Sequence, residues 1–255
     1  MPETHLKLTV AYDGTGLVGW QRQASGVSVQ GVLEDALASL AGAPVTVSGA
    51  GRTDAGVHAL GQVASVTLPR DLTTDVVRRA ANMRLPPSVR VVDVERVDAQ
   101  FHARFRSSAK RYRYRIWNGE VVSPFDRPFV WHIPSRPLDV DAMHAAVQRM
   151  VGTHDFASFQ GVGTDVETSV RTLFSASVTT EPVPAVGSGR LVSLDVRGDG
   201  FLRHMVRTMA GTLVDVGRGR RAPEWIDEVL AARSRASAGR TAPPEGLFLV
   251  AVEYE

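Results

Sequence analysis

The chain has 255 residues, 44% apolar and 22% charged, the balance of a globular protein long enough for one large or two small domains. It has no cysteine, which excludes disulfides, cysteine nucleophiles and thiolate metal sites. No apolar run reaches the ~18 residues of a membrane span, and "MPETHLKLTVAYDG" lacks a secretory pattern, so a cytoplasmic protein is expected. Net charge is only +2, but 27 of the 29 basic residues are Arg, the side chain suited to planar contact with phosphate and carboxylate.

"LKLTVAYDG" (6–14) alternates and ends in Asp-Gly, a strand entering a turn. "SVQGVLEDALASLAG" (28–42) spaces Val29, Val32, Leu33, Ala36, Leu37 and Leu40 along one helix face, with Ser28 as N-cap and Gly42 as stop. "PVTVSG" (44–49) and "LGQVASVTL" (60–68) read as strands on either side of a glycine-rich loop. "TTDVVRRAANMRL" (73–85) is a helix stopped by Pro86 and Pro87, and "VRVVDVERV" (89–97) is a strand. "RYRYRIW" (111–117) and "RPFVWHI" (127–133) look like strands, and "DVDAMHAAVQRMVG" (139–152) like a helix. "TLFSASVTT" (172–180) and "RLVSLDVRG" (190–198) form a hairpin through "EPVPAVGSG" (181–189). "FLRHMVRTMAGTLVDVG" (201–217) is the longest helix, with Met205, Met209, Leu213 and Val216 along a seam. "PEWIDEVLAARS" (223–234) is a helix with Pro223 in its first turn, and "GLFLVAVEYE" (246–255) closes as a strand. This mixture lacks regular βαβ alternation and predicts an α+β protein with mainly antiparallel sheet. Each half holds strands and helices, two helices in the first and three in the second, so two similar subdomains are expected, 1–105 with the glycine-rich loop and 106–255.

Three stretches could carry chemistry. In "SGAGRTDAGVHALGQVA" (48–64) one carboxylate, Asp54, stands among four glycines. It reads as a turn residue bonding its own backbone, as half of a metal site with His58, or as a catalytic carboxylate where glycines admit a ligand. In "FHARFRSSAKRYRYRI" (101–116) six of sixteen residues are Arg or Lys. Alternation puts Arg111, Arg113 and Arg115 on one strand face and Tyr112, Tyr114 and Ile116 on the other. A basic face backed by aromatics suits nucleic acid, but the same tyrosines also suit a core. In the 201–217 helix, Arg203 and Arg207 stand four apart, one above the other, near His204. Arg207 borders the apolar seam formed by 202, 205, 206, 209 and 213, so it needs a partner, for which Asp54 is a candidate.

"AYDGTGLVGWQRQ", "GAGRTDAGVHALGQVA", "FHARF", "RYRYRI", "HDFASF", "GFLRHMVRTMAGTLVDVG" and "EGLFLVAVEY" run in order over nearly the whole chain. Together they resemble the TruA family of tRNA pseudouridine synthases, whose signature is the "GRTDAGVHA" string. The resemblance implies the pseudouridine synthase fold and isomerisation of uridines 38, 39 and 40 in the anticodon arm of tRNA. It implies no cofactor, no metal and a homodimer; the lack of a long apolar run already predicts no membrane span. It matches Asp54 to the catalytic aspartate, Tyr112 to a tyrosine against the target uracil and Arg207 to an arginine paired with that aspartate. Arg52 matches an arginine of the RNA-binding loop, and Leu247 an apolar wall of the pocket. It assigns no role in "FQGVGTDVETSVRTL" (159–173). A hydrolytic glycosidase normally uses two carboxylates, one protonating the leaving group, and the loop offers one.

Overall fold

The computed structural model describes residues 3–134, 136–161, 163, 166–181 and 189–255. Their elements are β1 (Thr4–Tyr12), α1 (Val29–Ala41), β2 (Ser48–Gly49), β3 (His58–Leu68), α2 (Thr74–Arg84), β4 (Val89–Arg96), β5 (Ser107–Asn118), β6 (Trp131–Ile133), α3 (Val140–Gln148), β7 (Gly152–Asp155), β8 (Val170–Glu181), β9 (Arg190–Gly198), α4 (Met205–Gly217), α5 (Trp225–Ala232) and β10 (Leu247–Tyr254). Strands and helices are mixed and pairing is mainly antiparallel, so the chain is α+β. Residues up to Ser108 group with Phe248–Glu255 as one compact unit, and Ala109–Leu247 form a second. The closing strand thus returns to the N-terminal unit, whereas a division at 105/106 leaves it with the C-terminal half.

In the first unit the strand order is β4-β1-β3-β10. β1 pairs antiparallel with β3 from Thr4↔Leu68 to Tyr12↔Ala59, and β10 lies parallel to β3, with Phe248 opposite His58. β1 alternates strictly, burying Leu6, Leu8, Val10 and Tyr12. α1 behaves as its spacing predicts. Ser28 Oγ accepts from Gly31 N–H at 3.1 Å, and Gly42 ends the helix with φ +74. Val29, Leu33, Ala36 and Leu37 are buried, while Val32 and Leu40 are half-buried.

The expected strand 44–49 shrinks to Ser48–Gly49, paired with β3. α1 takes the rest: Val47 N–H donates to Glu34 Oε1 (3.2 Å), and Val47 O accepts from Gln30 Nε2 (3.0 Å). With both main-chain groups satisfied by side chains, Val47 has nothing to offer a ladder.

The second unit has the order β5-β9-β8-β7, all antiparallel, with β6 parallel to β5. β8 and β9 pair as the hairpin reading predicts; residues 182–188 of the connecting stretch lie outside the described residues. The strand predicted over 127–133 is only Trp131–Ile133, because 127–129 is a 3-10 turn holding Pro128, which cannot donate to a ladder. β7, with His154 and Asp155 of "HDFASF", is a strand that the spacing did not predict.

α4 begins at Met205, four residues later than expected, because His204 sits in the left-handed region at φ +63. Arg203 O accepts from Gly161 N–H at 2.8 Å, so its carbonyl serves another segment. Exposed Arg203 is therefore outside the helix and does not stack on Arg207. From Met205 on, α4 is buried nearly all round, with Arg207 half-buried. Among the described residues no helix is long and apolar enough to cross a membrane.

Candidate active site

In the first unit, Asp54 lies on a loop whose backbone is tied at almost every step. Ala50 N–H donates to Val63 O (2.8 Å), and Gly51 O accepts from Gln62 Nε2 (2.9 Å). Thr53 O accepts from Trp20 N–H (3.1 Å), and Gly56 N–H donates to Leu17 O (3.3 Å). Asp54 O accepts from Val57 N–H (3.1 Å), closing a four-residue turn with Gly56 at the third position and φ +77, where a side chain would be strained. Thr53 Oγ1 and the Tyr12 hydroxyl share a 2.8 Å hydrogen bond in the interior. Burial raises the Tyr12 pKa to about 12, so this phenol stays neutral and can serve as donor or acceptor.

The loop also depends on close backbone approach. A Cβ on Gly14 would stand 2.2 Å from Val57 O, and one on Gly19 2.5 Å from Thr53 O. The segment 14–20 can grip the loop only because both positions lack a side chain. Asp54 itself is half-buried and Arg52 exposed. His58 is turned into the interior, away from a ligand role: it is 1% exposed, its Nδ1 accepts from Gly14 N–H (3.0 Å) and lies 3.2 Å from Asp13 Oδ1, and its ring stacks on Phe248 at 4.7 Å. Among the described residues no group of three or more His, Asp or Glu is placed to hold a metal ion.

In the second unit, β5 alternates as predicted. Tyr112, Tyr114 and Ile116 are buried, and Arg111 is exposed. Tyr114 is a core residue, 0% exposed, donating its hydroxyl to Pro243 O at 2.7 Å. Tyr112 meets Phe201 edge to face at 4.9 Å. The outer face is less open than alternation suggests. Arg113 Nε contacts both oxygens of its cross-strand partner Asp195 (3.0 and 3.1 Å), and burial lowers the pKa of Arg115.

Arg207 and Leu247 are attached to the two ends of one segment. Arg207 Nε donates to Ala242 O (2.8 Å), and Ala242 N–H donates back to Arg207 O (3.0 Å). Upstream, Gly239 N–H donates to Thr212 Oγ1 (3.0 Å), and Arg240 lies over the Trp131 ring at 4.5 Å. Downstream, Gly246 packs so that a Cβ would stand 2.7 Å from Arg115 O. Leu247 follows at once, 6% exposed, its N–H bonded to Pro244 O.

Residues 8–106 and 146–255 match the family model described as tRNA pseudouridine synthase. The chain belongs to the tRNA pseudouridine synthase family. The tRNA pseudouridine synthase A of Myxococcus xanthus is 48% identical over 249 residues, covering 98% of this chain and 91% of its own length. That of Syntrophotalea carbinolica is 45% identical over 98% of this chain and 96% of its own length. That of Acetivibrio thermocellus is 41% identical over 98% and 99%.

For this synthase-family chain, sequence reasoning singled out the carboxylate and missed its fastenings. Tyr12 and Gly14 read only as the end of a strand and its turn, Gln62 only as part of a strand, and Gly19 and Trp20 carried no role, although "AYDGTGLVGWQRQ" holds Gly14, Gly19 and Trp20 beside Tyr12. Gly14 at the end of the alternating strand and Gly19 in the stretch after it, which has neither helical nor strand period, were the available signal.

Proposed function

We propose that the chain isomerises uridine to pseudouridine in the anticodon arm of tRNA, at positions 38, 39 and 40. Asp54 is the catalytic carboxylate, and Arg52, Tyr112, Arg207 and Leu247 are the substrate contacts. The observation that carries this reading is the strapped Asp54 loop, in a chain that belongs to the tRNA pseudouridine synthase family. A tied backbone gives the carboxylate a defined origin, which pre-organised chemistry needs.

In the reaction the C1′–N1 bond breaks, the uracil turns, and C5 bonds to C1′. The C5 proton is then lost and N1, which carries none in uridine, takes one up, so atoms and electrons balance. The hard step builds positive character at C1′. An Asp54 carboxylate there either attacks C1′ and is displaced when C5 bonds to it, or takes the C2′ proton and returns it; either role needs one carboxylate. The base must leave the stack to expose C1′, at a cost of a few kcal/mol offset by stacking and backbone contacts. Arg52 is supported as a phosphate contact by its exposure beside the turn, and Leu247 as an apolar wall by its fixed, buried position. We further propose a cytoplasmic homodimer whose chains each have two similar subdomains.

The test is tritium release from C5-labelled uridine in a tRNA transcript, with the product mapped to a position. Release with pseudouridine at 38–40 is expected. Binding without release would make the chain an RNA-binding module, and free uracil would make it a hydrolase.

Tyr112 separates two contributions. Tyr112→Phe keeps the ring and should bind tRNA like wild type, whereas Tyr112→Ala should lose about 1–3 kcal/mol, the scale of one base–aromatic stack. If the hydroxyl assists loss of the C5 proton, Tyr112→Phe forms the C–C bond and stalls. Wild-type binding by Ala together with wild-type turnover by Phe would leave Tyr112 as a packing residue against Phe201.

A further inference from the structure

We propose that Phe105, braced by His102 and Arg104, is a ledge on which an unpaired base of the RNA substrate stacks. This rests on the tRNA reading above and adds a binding site away from Asp54 in sequence. All of its residues belong to the first unit.

The turn that carries Phe105 is locked. Ala103 is 0% exposed; its N–H donates to Ser65 Oγ (3.2 Å) and its carbonyl accepts the Tyr254 hydroxyl (2.8 Å). Arg104 N–H donates to His102 Nδ1 (3.1 Å), Arg106 N–H to His102 O (3.1 Å), and Ser107 Oγ to Arg104 O (3.0 Å). Two residues beyond the buried alanine, Phe105 is held out at 76% exposure. Its ring lies 4.3 Å from that of His102, tilted 37°, and the Arg104 guanidinium lies over it at 5.7 Å. Arg106 is tied to Asp98 at 3.2 Å, which leaves Arg104 as the guanidinium that accompanies the ring.

A scattered exposed apolar side chain needs no explanation. An exposed phenyl on a turn secured by five hydrogen bonds, beside a guanidinium, is a different object. It presents a fixed π-face and an adjacent positive charge, the pair that receives an unstacked base and its phosphate. Rigidity matters because an aromatic already held in place loses little freedom on binding. The positive flank favours RNA over an apolar protein surface.

The experiment compares wild type with Phe105→Trp, Phe105→Leu, Phe105→Ala and Arg104→Ala. Unmodified tRNA transcript is the probe, read by Kd at several salt concentrations and by kcat and KM for tritium release. Phe105→Ala and Phe105→Leu should weaken binding roughly 5- to 150-fold, raise KM, and leave kcat and the salt slope unchanged. Phe105→Trp should bind like wild type, and Arg104→Ala should lower the salt slope by about 0.7–0.9. A Leu variant that binds like wild type would show that no π-face is read and would overturn the ledge. So would an Ala variant that changes sedimentation from dimer to monomer, since Phe105 would then serve a second copy. If wild type releases tritium and Phe105→Ala has an unchanged Kd, the ledge alone fails. If wild type does not bind tRNA, the reading beneath it fails as well.

Discussion

Asp54→Asn is expected to abolish turnover while leaving tRNA affinity within a few fold. Asparagine keeps the size of the side chain and its tolerance of turns, and removes the charge. Hydrogen bonds through the backbones of Ala50, Gly51, Thr53, Asp54 and Gly56 and the Thr53 hydroxyl hold the loop, and the substitution retains these. The loop should therefore keep its shape, and the loss should fall on chemistry. Removing a group that attacks carbon or takes a proton typically costs 10²–10⁴-fold or more, and no neutral amide replaces it. Single-turnover tritium release beside a binding isotherm separates the two effects. A mutant that still makes pseudouridine at a tenth of the wild-type rate would reduce Asp54 to a turn residue.

Gly211→Ala should give the largest loss of stability of any single methyl in the second unit's helices. Two effects oppose one another. Alanine is favoured over glycine inside a helix by about 1 kcal/mol. Against that, the added Cβ would stand 1.8 Å from Arg240 O, a backbone atom on a segment tied on both sides. Gly239 is bound to Thr212, and Ala242 exchanges two hydrogen bonds with Arg207. Relief requires the 239–242 segment to lift from α4, with overpacking of about 1–3 kcal/mol and hydrogen bonds of about 1 kcal/mol each at stake. The clash should win, for a net loss of about 2–3 kcal/mol and a Tm lower by roughly 5–10 °C. Because Arg207 and Leu247 hang on the same segment, kcat should fall more than unfolding alone explains. An alanine variant as stable as wild type, measured by thermal and denaturant melting, would mean that helix propensity decides and the segment is free to move.

How much of this was legible depends on how local the cause is. The limits of α1 were readable because an N-cap serine, an apolar stripe and a left-handed glycine act within a turn of themselves. The alternation of β5 was readable for the same reason, and it put Tyr112 and Tyr114 on the face opposite the arginines; the fold made that face the buried one. The lone carboxylate of the glycine-rich loop was also visible from composition.

What tertiary structure decided were the groups whose partners lie far along the chain. Val47 left its strand because Glu34 and Gln30 reach it from α1. Arg113 keeps its place on the outer face, but its charge is paired there by Asp195, 82 residues away and directly opposite it. Arg203 left α4 because Gly161 claims its carbonyl and His204 turns left-handed. The Asp54 loop takes its shape from segment 14–20, Tyr12 and Gln62. The sequence by itself determined which residues are able to form helices, strands and a charged loop, since propensity and periodicity are properties of neighbours. Only the folded chain could choose the partners of buried polar groups, because each must find a hydrogen bond wherever the topology offers one.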